Sequence, residues 1–279
     1  MAMVFGTLLH TGCKPDHAVD IPSYITIEAV DLQVDYTTQG TSNHKILDVW
    51  VLVGDQDLGA YELPATFPVM LEGTQEVRIF GGIKASGFSS VRITYPFYES
   101  TTISAKLIPG AAVTLEPEVS YYSDINFAWL EDFETGSTVQ SLAISDTSLT
   151  LETPPSDTSM GLKCAVIRVD ATNNFYAGAT NQKNFVPPLG KPTYLELNYM
   201  SNIELSIGAI KHTFIGDETI SPFITLFPSD NWNKIYLDLV QYLNKHTDAL
   251  SFDIYFSCNH DATVADNIVR IDNVKLIYQ

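Results

Sequence analysis

Apolar and polar residues alternate with period two along most of the second half of this chain. Ser251-Phe252-Asp253-Ile254 continuing to Phe256, Thr193-Tyr194-Leu195-Glu196-Leu197-Asn198-Tyr199 and Ile203-Glu204-Leu205-Ser206-Ile207 all follow it. Side chains on an extended strand point to opposite faces in turn, so this period predicts half-buried antiparallel strands. Further strand-like runs are Leu149–Glu152, Cys164–Val169, Ile235–Leu239 and Ile268–Ile277. Only Asp238 to His246 suggests a helix, of a single turn.

The first half reads the same way. Ile46 to Val53 is rich in β-branched residues, meets the turn Gly54-Asp55-Gln56-Asp57, and resumes at Leu58-Gly59-Ala60-Tyr61, which predicts a hairpin. Pro64 and Pro68 punctuate the next connection, and strands follow at Glu76–Phe80, Val91–Tyr95 and Ala112–Leu115. No helical period competes, so the chain is expected to be all-β, built as two β-sandwiches. Tyr121-Tyr122-Ser123-Asp124 reads as the connector. The expected organisation is a tether over residues 1–22, a spacer sandwich over 23–122 and a second sandwich over 126–279.

Charge narrows the partners. With 33 acids against 15 Lys and Arg, the formal net charge is −18. Residues 1–125 hold 15 acids and 6 bases, and residues 126–279 hold 18 and 9, so the acidity is spread evenly. No nucleic-acid partner is expected, because neutralising phosphates takes clustered bases. Attraction to anionic lipid by charge is disfavoured too. No apolar run is long enough to span a bilayer as a helix. Cys13, Cys164 and Cys258 are too few and too far apart for a disulfide scaffold or a zinc ribbon. Cys164 and Cys258 lie in strand patterns, as inert buried thiols or as one cross-strand bridge.

The N-terminus ends a short apolar stretch at Leu8-Leu9-His10-Thr11-Gly12-Cys13. It resembles a bacterial lipoprotein signal, which implies a lipid anchor at Cys13 and a location at the outer membrane or cell surface. Lys14-Pro15-Asp16 is similar to surface-export signals of Bacteroidota lipoproteins. The run Val49-Trp50-Val51, Leu58-Gly59, Pro64, Gly73 and Val77 resembles PEGA-type domains of bacterial surface proteins, implying a spacer.

A longer resemblance covers the second half. Asp132-Phe133-Glu134-x-Gly136, Ser159-Met160-Gly161-Leu162-Lys163, Trp232-Asn233-Lys234 and Arg270-Ile271-Asp272-Asn273-Val274 occur in that order. Together they resemble jelly-roll carbohydrate-binding modules and their galactose-binding-like relatives. The resemblance implies that the first and last strands are neighbours and hold a structural calcium. Glu134 and Asp272 would supply carboxylates to it, and backbone oxygens near Ser159 and Lys163 would complete the shell. It also implies a glycan ligand stacked on aromatic faces, with Phe175, Tyr176, Tyr199, Trp232 and Tyr255 as candidates. Phe175 and Tyr176 lead these because Asn173-Asn174 places them in a polar loop.

No catalytic residues are assigned. The six histidines fit no metal or nucleophile signature, and adjacent acids such as Asp217-Glu218 arise by chance among 33. Two functions stay open. One is a surface-anchored, non-catalytic lipoprotein that binds glycan through the second sandwich. The other is an accessory subunit docked on an outer-membrane protein complex for secretion, motility or adhesion. A hydrolase, the weakest reading, would show two convergent carboxylates in a cleft.

Overall fold

The structure, a computed structural model, describes residues 21–87, 91–155 and 160–279. Cys13 therefore lies outside the described residues. The chain is all-β, with two single-turn helices among the described residues. The first half runs β1 (Ser23–Ile27), β2 (Asp31–Gln33), α1 (Tyr36–Gln39), β3 (Asp48–Val53), β4 (Gln56–Glu62) and β5 (Ala65–Val69). It continues with β6 (Gly73–Lys84), β7 (Arg92–Thr94), β8 (Thr101–Leu107), β9 (Ala112–Leu115) and β10 (Glu118–Ser120). The second half opens with β11 (Asn126–Glu131), β12 (Val139–Ser141), β13 (Thr150–Glu152), β14 (Cys164–Val169) and β15 (Phe175–Thr180). After β16 (Thr193–Ser201) come β17 (Leu205–His212), β18 (Asp217–Leu226), β19 (Ser229–Asp238) and α2 (Val240–Leu243). The chain ends in β20 (Ser251–Asn259) and β21 (Asn267–Tyr278).

The predicted hairpin forms as β3 and β4, with Val53 opposite Gln56. The expected connection at Pro64 and Pro68 is partly a strand, since β5 contains Pro68. β5 is the outer strand of the sheet β5-β1-β9, where a residue without an N–H is tolerated. In the second half, the order β13-β14-β21-β16-β19, with β11 also on β21, faces β12-β15-β20-β17-β18. β11 and β21 pair antiparallel, Glu131 opposite Val274, so the opening and closing segments are neighbours as expected. Between the sheets lies a core that includes Trp129, Phe133, Leu197, Ile207, Phe256 and Ile271. Cys164 and Cys258 are free and buried, and burial pushes both thiols up to about 12, which keeps them unreactive.

The alternating polar positions depart from expectation. Glu196, Asn198 and Lys275 sit on the outer face of the β16–β21 sheet, yet all are buried. The first half covers that face. Tyr194, Tyr236 and Ile277 belong to the same apolar cluster as Ile83, Tyr95, Phe97 and Tyr98. Tyr95 meets Tyr194 and Tyr236 edge-on, at ring distances of 5.2 and 5.1 Å. Tyr121, in the expected connector, is buried and faces Tyr98 across an isolated bridge. The β-strands of this sheet are therefore covered on both sides.

Glu196 is the polar centre of that junction and is fully enclosed. Its Oε1 accepts from the Tyr95 hydroxyl at 2.8 Å and the Tyr121 hydroxyl at 3.0 Å. Lys234 Nζ lies 3.1 Å from Oε2, an ion pair by distance but without hydrogen-bond alignment. Burial opposes ionisation of Glu196, but Lys234, Lys275 and Tyr95 together hold its pKa below the usual carboxylate value. Removing one partner of a buried charge cluster leaves the others uncompensated, at a cost of about 3–5 kcal/mol. Glu196→Ala should lower the chemical-denaturation stability by about that much. A loss below about 1 kcal/mol, the range of exposed pairs, would mean the carboxylate does not hold the halves together.

Candidate functional site

The structure separates the five aromatic residues expected to form a sugar platform. Residues 175 and 176 open β15 instead of lying in a loop, so consecutive side chains take opposite faces. Tyr176 is 0% exposed inside the sandwich, while Phe175 is half-buried on the outer face of the five-stranded sheet. Tyr255 shares that outer face but is buried under Ala177, Ala179 and Ile210. Tyr199 is buried, and Trp232 on β19 has its indole Nε1 enclosed without a partner. The Phe175–Tyr176 platform is thus corrected: no ring pair is presented there. Of the five, Tyr199 lines a cavity large enough for a ligand.

That cavity is a cleft of about 530 Å³ between the two halves. β19 supplies Ser229, Asn233, Lys234, Ile235 and Tyr236, and the turn into it supplies Phe227 and Pro228. The first half contributes Lys45, Leu47, Lys84 and Ser86. The backbone at residues 85–86 extends the edge of β19: Ser86 N–H donates to the Tyr236 carbonyl at 2.6 Å. Gly87, at φ +72°, closes this contact, since a Cβ there would meet Ile235 Cδ1 at 2.9 Å. The Lys45 N–H donates to the Tyr236 hydroxyl at 2.8 Å, tying the opposite wall.

Polar groups inside the cleft are held in one orientation. Lys45 Nζ donates to Asn233 Oδ1 at 2.6 Å. Asn233 Nδ2 donates to the Tyr199 hydroxyl at 3.3 Å, and that hydroxyl donates to the Phe227 carbonyl at 3.2 Å. The chain of bonds fixes the turn that carries Phe227, whose side chain is 72% exposed at the mouth. Sequence reading passed over Phe227 because Leu226-Phe227-Pro228 carries no alternation. Its exposure follows from the turn between β18 and β19.

A second polar region lies where β11 and β21 meet α1. Phe133 (φ 56°) and Asn273 (φ 50°) take left-handed backbone beside Asp132, Glu134 and Asp272. Glu134 Oε1 accepts from the Leu162 N–H at 2.6 Å and the Lys163 N–H at 3.2 Å. Lys163 therefore meets the acid through a donor, not through the backbone oxygen expected of a calcium ligand. Ser159 lies outside the described residues. Gly161, at φ +81°, leaves the space Glu134 occupies: a Cβ there would lie 2.0 Å from Oε1. Asp272 is fully buried, accepts at Oδ1 from the Asn273 N–H at 2.7 Å, and has no partner at Oδ2. Burial pushes its carboxyl up to about 8; the Asn273 bond opposes this and the charges of Glu134 and Asp132 add to it. Among the described residues, no three His, Cys, Asp or Glu side chains gather closely enough to hold a metal by themselves.

No family model matches this chain, and no curated protein matches it. Among solved structures, a family 29 carbohydrate-binding module aligns at 15% identity and TM-score 0.34, over 56% of this chain and 92% of its own. A family 30 module of a Clostridium thermocellum cellulosomal cellulase aligns at 14% and 0.36, over 53% and 89%. The enzymatically active domain of bacteriophage CBA120 tailspike protein 4 aligns at 14% and 0.38, over 51% of this chain and 19% of its own. Likeness at this level bears on neither ligand nor chemistry.

Proposed function

We propose that the protein is a non-catalytic saccharide-binding protein whose ligand seats in the cleft between the halves. The observation that carries this reading is Phe227, an exposed ring at the mouth of a cavity lined by oriented amide and hydroxyl groups. An apolar ring face with a few fixed polar groups is what a pyranose, with its C–H face and hydroxyl rim, requires. Among the described residues, the cleft is bordered by lysines and by no Asp or Glu, which disfavours the carboxylate pair of glycoside hydrolysis. A lipid anchor at Cys13 and an outer-membrane or cell-surface location belong to the same proposal, supported by the Leu8–Cys13 sequence.

The docking-subunit reading has its own support in the turn between β17 and β18. Phe214 and Ile215 stand 92% and 100% exposed there, an apolar tip that suits a protein partner. A glycan array probed with the native chain and with Phe227→Ala separates the two readings. Saccharide binding should appear and fall about tenfold or more in the variant, the loss expected for one stacked ring. Uniform failure to bind would favour docking.

A structural calcium is the remaining proposal. Asp272 Oδ2 and Glu134 would serve as its carboxylate ligands with backbone carbonyls, an all-oxygen set that suits a hard cation. The unpartnered, fully buried Oδ2 supports it. A cation bound only by the native state at about 100 times its Kd adds about 2.7 kcal/mol. Calcium should raise the melting temperature of the native chain and leave that of Asp272→Asn unchanged. A native melting temperature indifferent to both calcium and chelator would overturn the proposal.

A further inference from the structure

We infer that the cleft takes an acidic saccharide, its carboxylate or sulfate group held between Lys45 and Lys84. This rests on the saccharide reading above and names the class of ligand. The chain has only 15 Lys and Arg against 33 acids, yet Lys45, Lys84 and Lys234 all line this one cavity. Among the described residues, no Asp or Glu lines it.

The charges there are not internally balanced. Lys234 is paired with Glu196, and elsewhere Arg92 meets Asp48 and Glu62, Arg168 meets Glu152, and Lys211 meets Glu218 and Asp248. Among the described residues, Lys45 and Lys84 have no carboxylate within 4.0 Å. The Lys45 ammonium instead donates to the neutral amide of Asn233. Burial lowers the pKa of Lys45, and the charge of Lys84 lowers it further. Two like charges in a half-buried cavity cost free energy that an anion between them would recover.

The rest of the wall fits the sugar body. Ser86 and Asn233 offer hydrogen bonds beside the lysines, and Phe227 gives a ring face at the mouth. Asn233 cannot turn away, because its oxygen accepts from Lys45 while its nitrogen donates to Tyr199. An anionic group at the lysines therefore sets the register of a sugar ring against Phe227. The two sources of the anion, uronate and sulfate ester, share this recognition chemistry.

Titration calorimetry on the full chain at low ionic strength tests the inference. The probes are an oligogalacturonate, a chondroitin sulfate fragment, a neutral cello-oligosaccharide of the same length, and inorganic sulfate. At least one acidic oligosaccharide should bind about tenfold or more tightly than the neutral one, and added salt should erase the difference. Which acidic probe binds identifies the anion. Lys84→Met, which keeps the aliphatic stem and leaves the Lys45–Asn233 bond in place, should cut that advantage without weakening neutral binding. Equal binding of neutral and acidic probes, unchanged in the lysine variant, would overturn the acidic class and leave the saccharide reading standing. Sulfate alone binding as tightly as the oligosaccharides would overturn the proposal in favour of a plain anion site. Binding of no probe would overturn both the class and the saccharide reading.

Discussion

The architecture depends on burying Glu196, Lys234 and Lys275 in the seam between its two halves. Three charged groups leave water together there, which is tolerable only because they compensate one another and two of them, Glu196 and Lys275, meet partners from the first half. Tyr95 and Tyr121 reach the carboxylate from the first half. Lys275 Nζ donates to the Thr41 carbonyl at 2.7 Å, also from the first half. Its pKa is pushed down to about 7 by burial, against the pull of Glu196. Below about 7 both folded and unfolded chains carry the proton and the native state bears the full cost of the buried charge. Between there and the usual lysine value the unfolded chain binds the extra proton, so this residue adds stability as pH rises through that window. The halves are thus joined by polar complementarity inside a larger aromatic contact.

That seam also positions the cleft. Lys234 and Tyr236 face both: the lysine pairs with Glu196 at the junction while lining the cavity, and the Tyr236 hydroxyl receives the Lys45 amide. A cavity walled by both halves keeps its shape only while the halves keep their register. The ionic cluster therefore holds the shape of the cleft through geometry, as a positioning element behind the wall.

Much of the fold was legible. Alternation revealed most strands of the second half, and the Gly54 turn revealed the β3–β4 hairpin. The pairing of β11 with β21 followed from a resemblance, not from periodicity. What alternation could not convey was the surroundings of its polar positions. Glu196, Asn198 and Lys275 read as solvent-facing because period two reports side, not solvent; a second half-molecule on that side leaves the same pattern. β18 escaped notice because Asp217 to Leu226 mixes charged and apolar residues without strict alternation. The site was less legible than the fold. Phe175 and Tyr176 looked exposed beside two asparagines, but the strand begins at Phe175 and draws Tyr176 inward. Phe227 and the lysine pair come together only through tertiary contacts: Lys45 and Asn233 are 188 residues apart.

Scanning calorimetry of the intact chain tests the shared seam most directly. If the halves are bound through one continuous core, unfolding should be a single transition with calorimetric and van't Hoff enthalpies equal. Two separate transitions, with the calorimetric enthalpy well above the van't Hoff value, would contradict it.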